Sequence, residues 1–232
     1  MRKSTLVAFG FCSLLMTSVT MAKEPAASSS QAETLMCERG KQLLNDSFAT
    51  GVSKPWRAAK GKWEAVDGAT QGSELTEDMH GAVIRANLKQ RNVVVQYSFK
   101  LEGAKTTTLS INDAKGHNSR VIVNAQGFTL RKDDHDHAGP DKAATLQTVK
   151  TAIAPNEWHT LVVELNGPEF LARLDGKQVG YGSHEAIDVD KTNFGLTVSG
   201  ESVSFKDFGV WEATPKSDWA STKKKVVAES GK

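Results

Sequence analysis

From Trp63 onward, apolar and polar residues alternate with a period of two. Val93, Val95, Tyr97, Phe99 and Leu101 alternate with Val94, Gln96, Ser98 and Lys100. The same phase recurs at Leu109 and Ile111, at Val121 and Val123, at Leu161, Val163 and Leu165, and at Phe194, Leu196 and Val198. Val203 and Phe205 then lead to Phe208, Val210 and Trp211. Side chains on a strand point alternately to its two faces, so this pattern predicts half-buried strands. Turn signals stand between them: Asp67-Gly68, Leu101-Glu102-Gly103, Lys115-Gly116, Asn166-Gly167-Pro168, Asp175-Gly176 and Ser199-Gly200-Glu201. Asp175-Gly176 predicts a hairpin joining Leu171–Leu174 to Val179–Tyr181. About a dozen short strands with frequent turns imply an all-β fold, antiparallel sheets packed face to face as a sandwich or jelly roll. Helical signal is confined to the ends: Glu33 to Leu44, and a short helix capped by Ser217 and running through Trp219 and Lys223 to Val227.

The first 22 residues read as a secretory signal. Arg2 and Lys3 precede an apolar run from Leu6 to Met16, too short to span a bilayer, and Thr20-Met21-Ala22 forms a cleavage site. Cys12 follows the bulky Phe11, which argues against a lipid anchor. The expected organisation is signal 1–22, flexible linker 23–34, jelly-roll domain 35–215 and basic C-terminal tail 216–232. It implies an exported protein, periplasmic or extracellular, with no stable membrane insertion once the signal is removed. Cleavage would take two of the 29 basic side chains and leave 27 against 27 acidic ones. A neutral balance argues against a nucleic-acid partner, which a basic excess would signal. One cysteine, Cys37, then remains, so the core alone must hold the fold, and Cys37 is expected to be shielded.

Charge is densest at Lys132-Asp133-Asp134-His135-Asp136-His137-Ala138-Gly139-Pro140-Asp141-Lys142. No apolar core can absorb this density, so the segment belongs on a surface or in a polar cleft. It suits a solvated loop, a grip on sugar hydroxyls, proton transfer, or a divalent metal between Asp133 and Asp141 held by carboxylate and imidazole. Its spacing matches no recognised metal motif, and the cofactor stays open. Other polar groups cluster near turns: Glu74, Asp78 and His80; Asn112, Asp113, His117 and Arg120; His184 and Glu185. Asn112 and Arg120 fall out of phase with their apolar neighbours, on the face a sandwich offers to a ligand. His159 shares the phase of Leu161 and Val163 and reads as a packing residue, as do Trp158 and Phe170. Carboxylates four apart on one strand face are absent from Glu185–Asp190, which argues against a two-carboxylate glycosidase. No phosphate loop and no serine elbow occur.

Four segments taken in order carry a resemblance: Gly61-Lys62-Trp63-Glu64-Ala65-Val66-Asp67-Gly68, Trp158-His159-Thr160-Leu161, Phe170-Leu171-Ala172-Arg173-Leu174-Asp175-Gly176 and Val203–Trp211. Over roughly Leu43 to Ala213 the chain resembles the 3-keto-disaccharide hydrolase domain family of the concanavalin A-like lectin/glucanase superfamily, found in planctomycete-type exported proteins. The resemblance implies a carbohydrate or glycoside ligand and cleavage of glycosides oxidised at C3. Such chemistry needs a base, a cation to hold an enolate and an acid for the leaving group. His117 or His135 is then expected as base, Arg120 and Lys132 as enolate stabilisers, and Asp134 as the group orienting the base. Glu74, His80, Asn112, His137 and His184 are expected to bind substrate. A non-catalytic carbohydrate-binding or envelope interaction module is the alternative. A weaker one is a partner contact at Trp219 and Lys223–Lys225.

Overall fold

The computed structural model describes Met1 and residues 31–230. The signal expected over 1–22, and the linker up to residue 30, lie outside the described residues. The strands run β1 (Cys37–Asp46), β2 (Trp56–Lys60), β3 (Lys62–Val66), β4 (Ala69–Ser73), β5 (Ala82–Gln90), β6 (Val93–Asp113) and β7 (Gly116–Asn124). They continue with β8 (Gly127–Lys132), β9 (Ala144–Lys150), β10 (His159–Asn166), β11 (Glu169–Leu174), β12 (Gln178–Ser183) and β13 (Lys191–Pro215), and helix α1 (Trp219–Ser230) follows. All pairings are antiparallel.

Two long strands build both layers. The first half of β6 pairs with β10, and the second half of β13 with β1 and β4, in one layer. The second half of β6 pairs with β7, and the first half of β13 with β5, in the other. β6 and β13 pair with each other throughout. Leu101-Glu102-Gly103 and Ser199-Gly200-Glu201, expected as turns, are therefore bends within continuous strands. Gly103 (φ 83°) and Gly200 (φ 95°) both stand where the register shifts, Gly200 opposite Ala104 and Ser202 opposite Gly103. A glycine at positive φ serves a bulge as well as a turn, and the bulge carries each strand from one layer into the other.

The period-two pattern resolves into one core. Tyr97, Phe99, Val163, Phe170 and Phe205 of the first layer and Leu109, Ile111, Val121, Leu130, Phe194 and Leu196 of the second form a single buried cluster. The Asp67-Gly68 and Asp175-Gly176 hairpins form, with both residues of each pair at positive φ.

Helix α1 covers the outer face of the first layer, where Trp219 and Val226 pack with Met36, Val94, Leu171 and Trp211. Trp219 is thus buried beside Glu169 and is no exposed partner contact. The helical expectation for Glu33–Leu44 is corrected: this stretch supplies β1. The Glu164 carboxylate accepts from the backbone of Leu35, Met36 and Cys37 at 2.8, 2.8 and 2.6 Å, and the edge of β13 captures residues 37–46. Tertiary pairing outweighs the weak local preference. Cys37 is fully buried there. His159 packs as expected, donating to Asp175 at 2.7 Å or to the Ala154 carbonyl at 3.1 Å. Phe170 is core, whereas Trp158 is exposed, flanked by Lys206 and Lys100 over its ring.

Candidate functional site

The outer face of the second layer carries the residues that fall out of phase with the core. β5 contributes Val83 and Arg85, β13 Gly195 and Thr197, β6 Thr108, Ser110 and Asn112, and β7 His117 and Arg120; with His80 they line a cavity of about 200 Å3. None of these lining residues is acidic. Strand register explains how they meet. Arg85 lies opposite Gly195, Gly195 opposite Ser110 and Ser110 opposite Arg120. Two small residues thus form the floor between two arginines. The row continues to Arg57 beyond Arg85 and to Arg131 beyond Arg120.

Arg120 is held from beneath. Its Nε lies 2.6 Å from Oδ2 of Asp133, a fully buried carboxylate that also has Arg131 Nε at 3.3 Å. These are close charge contacts whose N–H vectors are not aligned as hydrogen bonds. Burial and the neighbouring arginines pull the Arg120 pKa down, and Asp133 opposes them.

His117 is held by an amide relay. The Asn193 amide donates to Thr192, Asn112 donates to Asn193 Oδ1 at 2.6 Å, and His117 Nδ1 lies 3.1 Å from Asn112 Oδ1. With its amide nitrogen committed to Asn193, Asn112 presents an oxygen, so Nδ1 of His117 is the donor. Nε2, the nitrogen left with its lone pair, serves as base or acceptor. Burial, and next the positive charge of Arg120, hold the His117 pKa below the ordinary histidine value, which favours this neutral form. His80 donates through Nδ1 to the Gly81 carbonyl at 2.8 Å, which leaves its Nε2 as the acceptor.

The expected site residues divide. Asn112, His117, Arg120 and His80 converge on the cavity. The exposed His137 stands at its rim, its ring 6.0 Å from that of His117. Lys132, Asp134 and His135 do not line it. Lys132 is buried and pairs with Asp141. Asp134 accepts from the His137 backbone at 2.7 Å. His135 sits between two carboxylates, Nε2 at 2.9 Å from Asp113 and Nδ1 at 2.6 Å from Asp141. The loop's charges are taken up by one another and by Asp113, Arg120 and Arg131, which is why it projects few of them at a ligand.

Glu74 and His184 also lie outside the cavity lining. Glu74 accepts from the Gly200 backbone at 2.6 Å, and His184 accepts from Ala186 N at 3.1 Å to cap a short 3-10 turn. For a divalent ion, Asp133 is occupied by arginines and Asp141 by Lys132 and His135. Among the described residues, no group of three or more His, Cys, Asp or Glu side chains is gathered to hold a metal.

Arg85, Ser110, Thr108 and Thr197 were not expected. Their signal is present in sequence, as polar residues out of phase in Ala82–Ala86, Thr107–Ile111 and Phe194–Val198. Choosing them from other outward residues needs the register that brings four separate strands together.

No known family profile matches the sequence, and no curated protein matches it. Solved structures do match the fold. The chain is similar to the carbohydrate-binding module CBM66 from Bacillus subtilis, at 18% identity over 68% of this chain and 95% of that one, with a TM-score of 0.55. It is similar to a Bacillus subtilis protein of unknown function with a galectin-like fold, at 9% identity over 78% of this chain and all of that one, TM-score 0.59. A third is the GlcNAcα1-4Gal-releasing endo-β-galactosidase from Clostridium perfringens, at 10% identity over 79% of this chain and 64% of that one, TM-score 0.58. At these identities the likeness establishes the fold alone: an antiparallel β-sandwich of the galectin-like kind.

Proposed function

We propose that the protein is exported and acts on a glycoside held in the cavity between β5, β13, β6 and β7. The observation that carries this reading is the His117 imidazole, fixed by Asn112 beside the Arg120 guanidinium over a floor of small residues. A cavity of about 200 Å3 lies below the roughly 300–1,000 Å3 of drug-sized pockets, a scale suited to one sugar unit. The carbohydrate-binding and galactosidase domains that share the fold support this ligand class.

The family resemblance points to a glycoside oxidised at C3. There the carbonyl acidifies the C2 proton, and Nε2 of His117 would take it. The C–H electron pair becomes the enolate, whose oxygen Arg120 would stabilise. As the carbonyl re-forms, the C1 substituent leaves with its bonding pair and takes the proton back from the His117 imidazolium. Water then adds across the resulting double bond, so the overall change is hydrolysis. Asn112 sets the tautomer, and His80 would accept from a sugar hydroxyl. Lys132, Asp134 and His135 would position the loop whose backbone borders His117, since His117 N donates to the His135 carbonyl at 3.1 Å.

The experiment is product analysis with 3-keto-glucosides and their unoxidised parents. Release of aglycone from keto substrates alone, lost in His117→Ala, supports the enzyme. Saturable glycan binding with no product supports the second reading, a carbohydrate-binding module. That reading is favoured by the absence of any carboxylate acid among the cavity lining.

A further inference from the structure

We propose that the cavity selects an anionic sugar unit, one bearing a carboxylate or a sulfate ester, clamped between Arg85 and Arg120. This rests on the glycan reading above and names the class of glycan.

The argument begins with the register. Arg85, Gly195, Ser110 and Arg120 occupy one transverse row, so three inter-strand steps separate the two arginines. At about 4.8 Å per step their backbones stand roughly 14 Å apart, with only a glycine and a serine between. Long side chains from both flanks can reach over that floor toward one ligand. A Cβ at Gly195 would stand 3.4 Å from Cγ of Arg85, so the glycine also leaves room for the Arg85 stem.

The second step is charge. The row holds Arg57, Arg85, Arg120 and Arg131, and the carboxylate facing it is Asp133, which engages Arg120 and Arg131. Arg85 is exposed and makes no ion pair with a carboxylate among the described residues. The cavity thus carries a net positive field, which also contributes to keeping His117 neutral.

The third step is donor chemistry. A neutral sugar is gripped best by side chains that both give and accept hydrogen bonds. Guanidinium groups only donate, and their planar fork matches a carboxylate or sulfate edge through charge-assisted pairs. An arginine left without a carboxylate at the mouth of a polar cavity is suited to an acidic group arriving with the ligand.

The test is titration calorimetry of the intact protein. The probes are an oligosaccharide of hexuronic acid units with its methyl ester, and a sulfated oligosaccharide with its desulfated parent, at low and high salt. The expected result is at least ~10-fold tighter binding of an acidic probe than of its neutral partner, with the gap shrinking as salt screens the charges. The pair that shows the gap identifies the anion. Arg85→Gln, at an exposed position, is expected to remove the preference, so that the acidic probe and its neutral partner bind alike. Equal affinity for acidic and neutral probes overturns the inference and leaves the glycan reading standing. An acidic preference unchanged by Arg85→Gln also overturns the clamp. Binding of no oligosaccharide by the folded protein removes both readings.

Discussion

His117 Nδ1 lies 3.1 Å from Asn112 Oδ1, and the orientation of that amide is decided one strand away, where Asn112 donates to Asn193 at 2.6 Å. The relay fixes the Nδ1–H tautomer, which turns the lone pair of Nε2 toward a ligand. Burial and Arg120 lower its pKa from the ordinary 6.5, against the raising effect of Asp133. The midpoint of protonation therefore lies below the ordinary histidine value, and a process needing neutral His117 should fall off with a midpoint below pH 6.5 as the pH drops. Asn112→Asp places a carboxylate against Nδ1 and should move that acid limb to higher pH. The pH profile of turnover or binding, beside an NMR titration of the ring, measures both. An unmoved limb in Asn112→Asp would mean that Asn112 does not govern His117.

Arg120→Ala removes the nearest countercharge of the buried Asp133 and leaves only the partly exposed Arg131. Breaking a buried pair on one side costs about 3–5 kcal/mol, and Arg131 should hold the loss near the low end. Arg120→Ala with Asp133→Ala should be less destabilised than Arg120→Ala alone. Urea denaturation of these variants and of Asp133→Ala decides it, and additive losses would show that the two charges do not interact.

Gly200→Ala tests the paired bulge. At φ +95° an added Cβ would stand 2.7 Å from the Lys105 backbone nitrogen, so the change costs both strain and contact. A loss of about 1–3 kcal/mol is expected, read as a lower denaturation midpoint with an unchanged slope. A midpoint within error of the parent would show that the crossing does not depend on this glycine.

Cys37 should be inert in the native protein. Burial, then Glu164 and Glu169, push its thiol from 9.0 up to about 12. In an unfolded chain the thiol ionises first, so the folded state holds more protons between about pH 9 and 12, and stability falls as pH rises through that window. A thiol reagent at pH 8 should react only after denaturant is added. Rapid labelling of the native protein would contradict the burial.

Much of the sandwich is legible in the alternation of residues 93–101 or 194–198, because a buried face forces period two. The same alternation placed Arg120 and Asn112 on the outer face. What local sequence does not carry is which strand lies beside which. A Gly-containing triplet reads as a turn whether the chain reverses or bends, so Gly103 and Gly200 were expected to end strands they only kink. Likewise, charge density at 132–142 singles out the loop but not its pairing. Asp113 and Asp141 lie 28 residues apart, yet both face His135. Arg85 escapes notice for the same reason, since its partner across the cavity is 35 residues away.

Glu164 pins residues 35–37, and α1 packs, on the outer face of the first layer, while the cavity opens on the outer face of the second. The packing that closes the back of the sandwich and the arginine-lined front are thus separate surfaces, so a change in α1 reaches the cavity only through the core between the two layers.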